Sequence, residues 1–165
     1  MPHAEFPLQG HPANEIRIER LPRKELGRLS ELNFEIFREK RIINHKTHPF
    51  LVILAAFAGD IPVGFKIGYG RKEGEFYSAK GGVLPGFRRR KLADTMMKQM
   101  LEIAREARYE VFTYDTFPNM NPGMLIMGFS YGFRVTYAGY NARYNDYQIT
   151  LSLKLKDLPA SKLLK

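Results

Sequence analysis

The segment Phe76 to Phe117 constrains the fold more than any other part of the chain. An apolar run, EFYSAKGGVLP, stops at Pro85, and a long amphipathic pattern follows, with Leu92, Met96, Met100, Ile103 and Ala107 on one stripe. VFTYDTF, short and rich in β-branched and aromatic residues, then returns as a strand. Strand, helix and strand in that order demand a right-handed crossover and at least one parallel pair. The other elements must be arranged around that unit.

Those elements read as strands joined by tight connections. EIRIER alternates, with Ile16 and Ile18 on one face, and from Pro22 the period changes to helical spacing at Leu26, Leu29, Leu32 and Ile36, decaying near His45. LVILAAFAGDIPVGFKIGYG predicts two strands turning at Gly59-Asp60. Asn121 to Tyr131 predicts a short Met-rich helix ended by Gly132, and FRVTYAGY with DYQITLSLKL predicts a closing hairpin. The methionines of both helices, Met96, Met97, Met100, Met124 and Met127, sit where core packing is the default. The class is mixed α/β in one domain over residues 15–165, preceded by a proline-rich leader at 1–14. The C-terminal PASKLLK is expected to fray.

Composition narrows the chemistry. The chain has no cysteine, which removes disulfides, thiolate catalysis and Cys-based zinc sites and agrees with a reducing cytoplasm. His45 and His48 lie three apart, but no carboxylate or cysteine set accompanies them, so a metal is not expected. No stretch approaches the roughly 20 apolar residues of a membrane span. The net charge of +9 favours an anionic partner. Nucleic acid is one such partner, but the basic turn lacks interleaved aromatics apart from Phe87.

That basic turn raises a conflict. Arg88, Arg89, Arg90 and Lys91 stand where a helix begins, and the helix dipole disfavours cations there. Free N–H groups at a helix start bind phosphate, and an anion shared with the arginines resolves the conflict. The competing reading is a solvated charge run.

GGVLPGFRRRKLADTMM, Gly81 to Met97, resembles the acetyl-CoA signature of the GNAT superfamily of N-acetyltransferases. Val83, Leu84 and Pro85 match the strand end, Arg88 the first signature position and Ala93 the last. The resemblance covers about residues 15 to 155 and implies a mostly antiparallel seven-stranded sheet with one parallel crossover and splayed central strands. It implies that Arg88, Arg89, Arg90, Lys91, Leu92, Ala93, Asp94 and Thr95 hold the phosphates of acetyl-CoA, the acyl donor. Asn121 would lie near the pantetheine, and backbone N–H groups from Gly82 to Leu84 would hold the thioester arm.

Three positions depart from the family pattern. Lys91 stands where glycine is usual, which implies weakened CoA binding; Gly128 replaces a tyrosine that would protonate the thiolate; Tyr77 replaces a catalytic glutamate. Acyl transfer needs a neutral amine, a stabilised oxyanion and a protonated leaving thiol. Tyr77 and Asp115 are the candidate catalytic residues: Glu75, Tyr77, Asp115 or a water relayed by them could take the amine proton. Tyr77, a poor base with a pKa of about 10, reads as an acid for the thiol, while Asp115 also reads as an ordinary hydrogen-bonded strand residue and Glu75 as a solvated strand end. The expected function is transfer of an acetyl group to an amine on a small molecule or protein, with an acidic acceptor favoured by the basic charge. A non-catalytic acyl-CoA-binding domain and a basic nucleic-acid-binding domain are the alternatives. The C-terminal tyrosines Tyr137, Tyr140, Tyr144 and Tyr147 read as sheet cover, and an exposed seventh strand would allow pairing with a second copy.

Overall fold

The computed structural model describes residues 15–44 and 48–162. The leader 1–14, His45 to Thr47 and the last three residues lie outside the described residues, so the readings made of them are not addressed. Seven strands form one sheet: β1 (Ile16–Leu21), β2 (Val52–Ala58), β3 (Ile61–Lys72), β4 (Glu75–Val83), β5 (Val111–Thr116), β6 (Arg134–Asn141) and β7 (Asp146–Lys154). Their spatial order is β1-β2-β3-β4-β5-β7-β6, and β4 with β5 is the parallel pair. The crossover between them is α2 (Leu92–Glu106), as the strand–helix–strand pattern requires.

Both sheet faces are covered over the first half of the chain. α1 (Ser30–Phe37), with the 3-10 turn Arg23–Leu29 before it, packs on one face, where Phe37 meets Phe65 edge to face at 6.0 Å. On the other face α2 buries Met96, Met97, Met100, Leu101 and Ala104. Each large side chain among these contributes about 1.5–3 kcal/mol of apolar burial. Cover on both sides explains why β2 reads VILAAFA without alternation and is buried throughout.

Two expectations are corrected. The helical pattern expected to run to near His45 ends at Phe37, because Arg38 turns left-handed (φ 57°) and Asn33 Nδ2 draws the chain back by donating to the carbonyls of Glu39 and Arg41. The free edge near the C-terminus is β6, not the seventh strand, because β7 lies between β5 and β6. The hairpin signal shows that the two strands pair; only the tertiary partner β5 selects which is inside. α3 (Pro122–Tyr131) ends as expected at Gly132 in the left-handed region, φ 89°.

Candidate functional site

The site is built where β4 and β5 part. They pair only from Glu75 with Val111 to Ser78 with Tyr114, yet β4 continues to Val83 and β5 to Thr116. Beyond Ser78 the β5 side of β4 has no strand partner. Leu84 N–H donates to Val63 O at 2.9 Å, so along this antiparallel pair Leu84, Gly82 and Lys80 direct their main-chain groups toward β3. The alternate residues, Val83 and Gly81, direct theirs into the gap. Of the three residues expected to line it, only Val83 offers its N–H; Leu84 is committed to β3.

The gap leads to the basic turn. After the 3-10 turn Pro85–Phe87, Arg88 Nε donates to Val83 O at 3.2 Å, and the Arg90 guanidinium lies 5.0 Å from the centre of the Phe87 ring. Arg88 has φ −68°, Arg89 φ 65° and Lys91 φ 59°. Arg88 is extended (ψ 161°), and the two left-handed residues after it turn the chain directly into the unpaired first N–H groups of α2. The first-turn N–H of Thr95 and its hydroxyl both donate to Lys91 O, at 2.9 and 2.8 Å. Arg88 to Lys91 are exposed and form no ion pair among the described residues, whereas Leu92 is buried in the core, so any contribution it makes is through its backbone. Ala93 is half-buried on the same first turn. Asp94 faces α3: Tyr131 Oη donates to its Oδ1 at 2.5 Å and Lys98 pairs with it at 3.4 Å. Its carboxylate is therefore engaged away from any anion. Asn121 is the exposed residue preceding α3, with no side-chain cap bond.

On the face covered by α1, Tyr77 Oη donates to Asp115 Oδ2 at 2.5 Å. Thr150 Oγ1 and Gln148 Nε2 donate to the other carboxylate oxygen at 2.5 and 3.1 Å. Burial, then the hydrogen bond to Asp115, pushes the Tyr77 phenol well above its usual pKa. The phenol stays protonated at neutral pH and cannot itself be the base. The Arg71 guanidinium stacks 3.9 Å over its ring. Glu75 is not a solvated strand end: it is 7% exposed, accepts from Arg71 Nε at 2.6 Å and lies near Thr113 Oγ1 at 3.4 Å. The parallel pairing puts Val111 beside it and closes off the solvent that a strand end would have.

Two features escaped the sequence reading. Lys66, in the apolar run VGFKIGYG, is 6% exposed, and burial lowers its pKa to about 8. A charge interrupting an otherwise apolar strand was the available signal. Tyr114 Oη donates to Met124 O at 2.6 Å beneath Gly128, where an added Cβ would overlap the hydroxyl and stand 2.7 Å from Leu151 Cδ1. Gly128 thus leaves room for a phenol rising from β5.

Residues 14–126 match the model of the acetyltransferase (GNAT) family. No curated protein sequence matches the chain. Among solved structures, it superposes on an IAA acetyltransferase from Bacillus cereus with TM-score 0.72 at 14% identity, covering 84% of this chain and 99% of that one. The ribosomal-protein-S18-alanine N-acetyltransferase from Escherichia coli gives TM-score 0.71 at 11% identity, covering 91% and 99%. A GNAT family acetyltransferase from Elizabethkingia anophelis with acetyl-CoA bound gives 0.70 at 16%, covering 86% and 99%. At these identities the likeness is one of fold.

Proposed function

Since the chain belongs to the acetyltransferase (GNAT) family, we propose that it moves an acetyl group from acetyl-CoA to an amine, using the gap between β4 and β5 as the donor channel. The observation that carries this reading is the end of the β4–β5 pairing at Ser78–Tyr114, beside the basic turn Arg88 to Lys91. Backbone N–H groups of Gly81 and Val83 would hold the thioester arm and its developing oxyanion, a role that needs fixed dipoles more than side chains. The turn at Arg89 to Lys91, the free N–H groups of Leu92 and Ala93 and the arginine side chains would take the diphosphate. Asn121 would flank the pantetheine.

The acceptor amine would enter on the face of α1. There Tyr77 gives its proton to the hydrogen bond with Asp115 and keeps phenol lone pairs for the amine N–H. As the amine attacks the acetyl carbon, its proton passes to the phenol oxygen while the phenol proton moves to Asp115. Thr150 and Gln148 orient that carboxylate. Lys80 and Arg71 on this face are matched by Glu39 at 2.7 Å and Glu75 at 2.6 Å. These two cations are thus already neutralised and by themselves select no acidic acceptor. No helix among the described residues is long and apolar enough to cross a membrane, and the cysteine-free chain is read as a cytoplasmic enzyme.

Thiol release from acetyl-CoA over a broad amine panel, beside calorimetry with CoA alone, tests the reading. Turnover with at least one amine and CoA binding are expected. Heat without turnover would favour a binding domain instead, and nucleic-acid affinity that falls with salt, with no response to CoA, would favour the third class.

A further inference from the structure

Lys66 is a charged residue that the reading above leaves without a task. It sits on β3 opposite Gly81, flanked on its own strand by Phe65 and Ile67. Phe65 packs on Phe37 of α1, so Lys66 projects to the other face, the one under α2. A Cβ on Gly81 would lie 3.5 Å from both Cα and Cγ of Lys66. The stem therefore leans over β4 at the glycine whose main-chain groups open into the gap. Tyr77, paired with Tyr69, is on the opposite face. The phenol–carboxylate pair and the Lys66 stem thus lie on opposite faces of the sheet, the stem beside the glycine that borders the gap.

The amine has no hydrogen bond or ion pair among the described residues. From β2 it faces Leu54, from β4 Gly81, and α2 covers this face with Met96, whose Cε reaches Gly64. The titratable groups of α2 nearest its start, Asp94 and Lys98, are paired with each other, and no charged group contributes to the behaviour of Lys66; burial alone does. An unpaired amine so placed is costly to the fold, since a charge in apolar surroundings is disfavoured.

Resting on the donor-channel reading, we propose that Lys66 is the acid that protonates the departing CoA thiolate. The acceptor nitrogen forms a bond to the acetyl carbon, the carbon–sulfur bond breaks with its electron pair going to sulfur, and the sulfur takes a proton from Lys66 Nζ. Lys66 then recovers a proton from solvent, while the proton shed by the acceptor amine leaves through Tyr77 and Asp115. An amine titrating near about 8 is matched to an alkyl thiol titrating near about 8.5, so the transfer is close to thermoneutral.

The test compares the wild-type chain with Lys66→Met, which keeps an unbranched stem, and Lys66→Arg, which keeps charge but cannot give up a proton at working pH. Acetyl-CoA turnover is measured from pH 6 to 10, with CoA calorimetry and thermal unfolding on each protein. Expected for both variants is a kcat about 100-fold lower, within the usual range for losing a general acid, with CoA affinity within about threefold. In the wild type kcat should fall above about pH 8, and that limb should vanish in Lys66→Met. Folding is checked by the same scans: Lys66→Met should be more stable than wild type at pH 7 and lose that advantage between pH 8 and 10. Wild-type kcat and pH profile in Lys66→Met, or full activity in Lys66→Arg, would overturn the inference while leaving the donor channel intact. Absence of CoA binding by the wild type would overturn both.

Discussion

Lys91 is the residue at which sequence and backbone are in open conflict. It adopts φ 59° and ψ 21° immediately before α2, a left-handed conformation that costs a non-glycine residue roughly 1 kcal/mol. Lys91→Gly should therefore raise Tm by a few degrees and tighten CoA binding several-fold in calorimetry, because the missing side chain also lets a phosphate approach the backbone. Unchanged affinity would show that the turn does not meet the diphosphate. Gly128 presents the reverse case. Gly128→Ala should destabilise by about 1–3 kcal/mol in urea unfolding, since its Cβ would overlap Tyr114 Oη, and pairing it with Tyr114→Phe should recover part of the loss. At the acceptor face Tyr77→Phe should lower kcat by about 100-fold with little change in CoA binding, as loss of a proton relay would. The motif at Val83 to Ala93 was legible because it is local in sequence. The bonding of Tyr77 to Asp115 was not, since 38 residues separate them and only the parallel pairing puts Thr113, Asp115 and Tyr77 on one face.

Among the elements, β4 carries most of the site, and its two ends behave differently. At the start, Glu75 is enclosed by Arg71, Thr113 and Lys72. Glu75→Gln should cost about 1–3 kcal/mol, measured by urea unfolding, because it breaks a pair whose carboxylate is buried while the guanidinium stays partly in water. At the far end Gly81 and Gly82 give β4 its room: a Cβ on Gly82 would stand 2.9 Å from Ile36 Cγ2, so α1 can settle directly on the strand. β1 and β7 were readable from their own alternation, with Leu151 and Leu153 of β7 facing inward, and β2 from its unbroken apolar run. The point at which β4 leaves β5 was not, because nothing local in either strand encodes where a parallel partner stops.

For the molecule as a whole, charge and titration set the measurable limits. Burial raises the phenols of Tyr77, Tyr114 and Tyr131 above their ordinary pKa near about 10, with a carboxylate neighbour adding to the effect on Tyr77 and Tyr131. A group whose folded pKa is raised stabilises the fold below its unfolded pKa and loses that contribution as pH climbs toward the folded value. Stability should thus fall above about pH 10, and a pH series of thermal scans that stays flat to pH 12 would contradict the buried-phenol picture. The sequence by itself determined the order of elements, the crossover and the basic turn, because periodicity, prolines and glycines act within a few residues of one another. Only the tertiary structure decided which strand is the edge, where the sheet opens, and that Lys66 and the Tyr77–Asp115 pair lie on opposite faces of the sheet. Those outcomes depend on strand register and on which face a helix covers, and both are settled by packing between segments far apart in the chain.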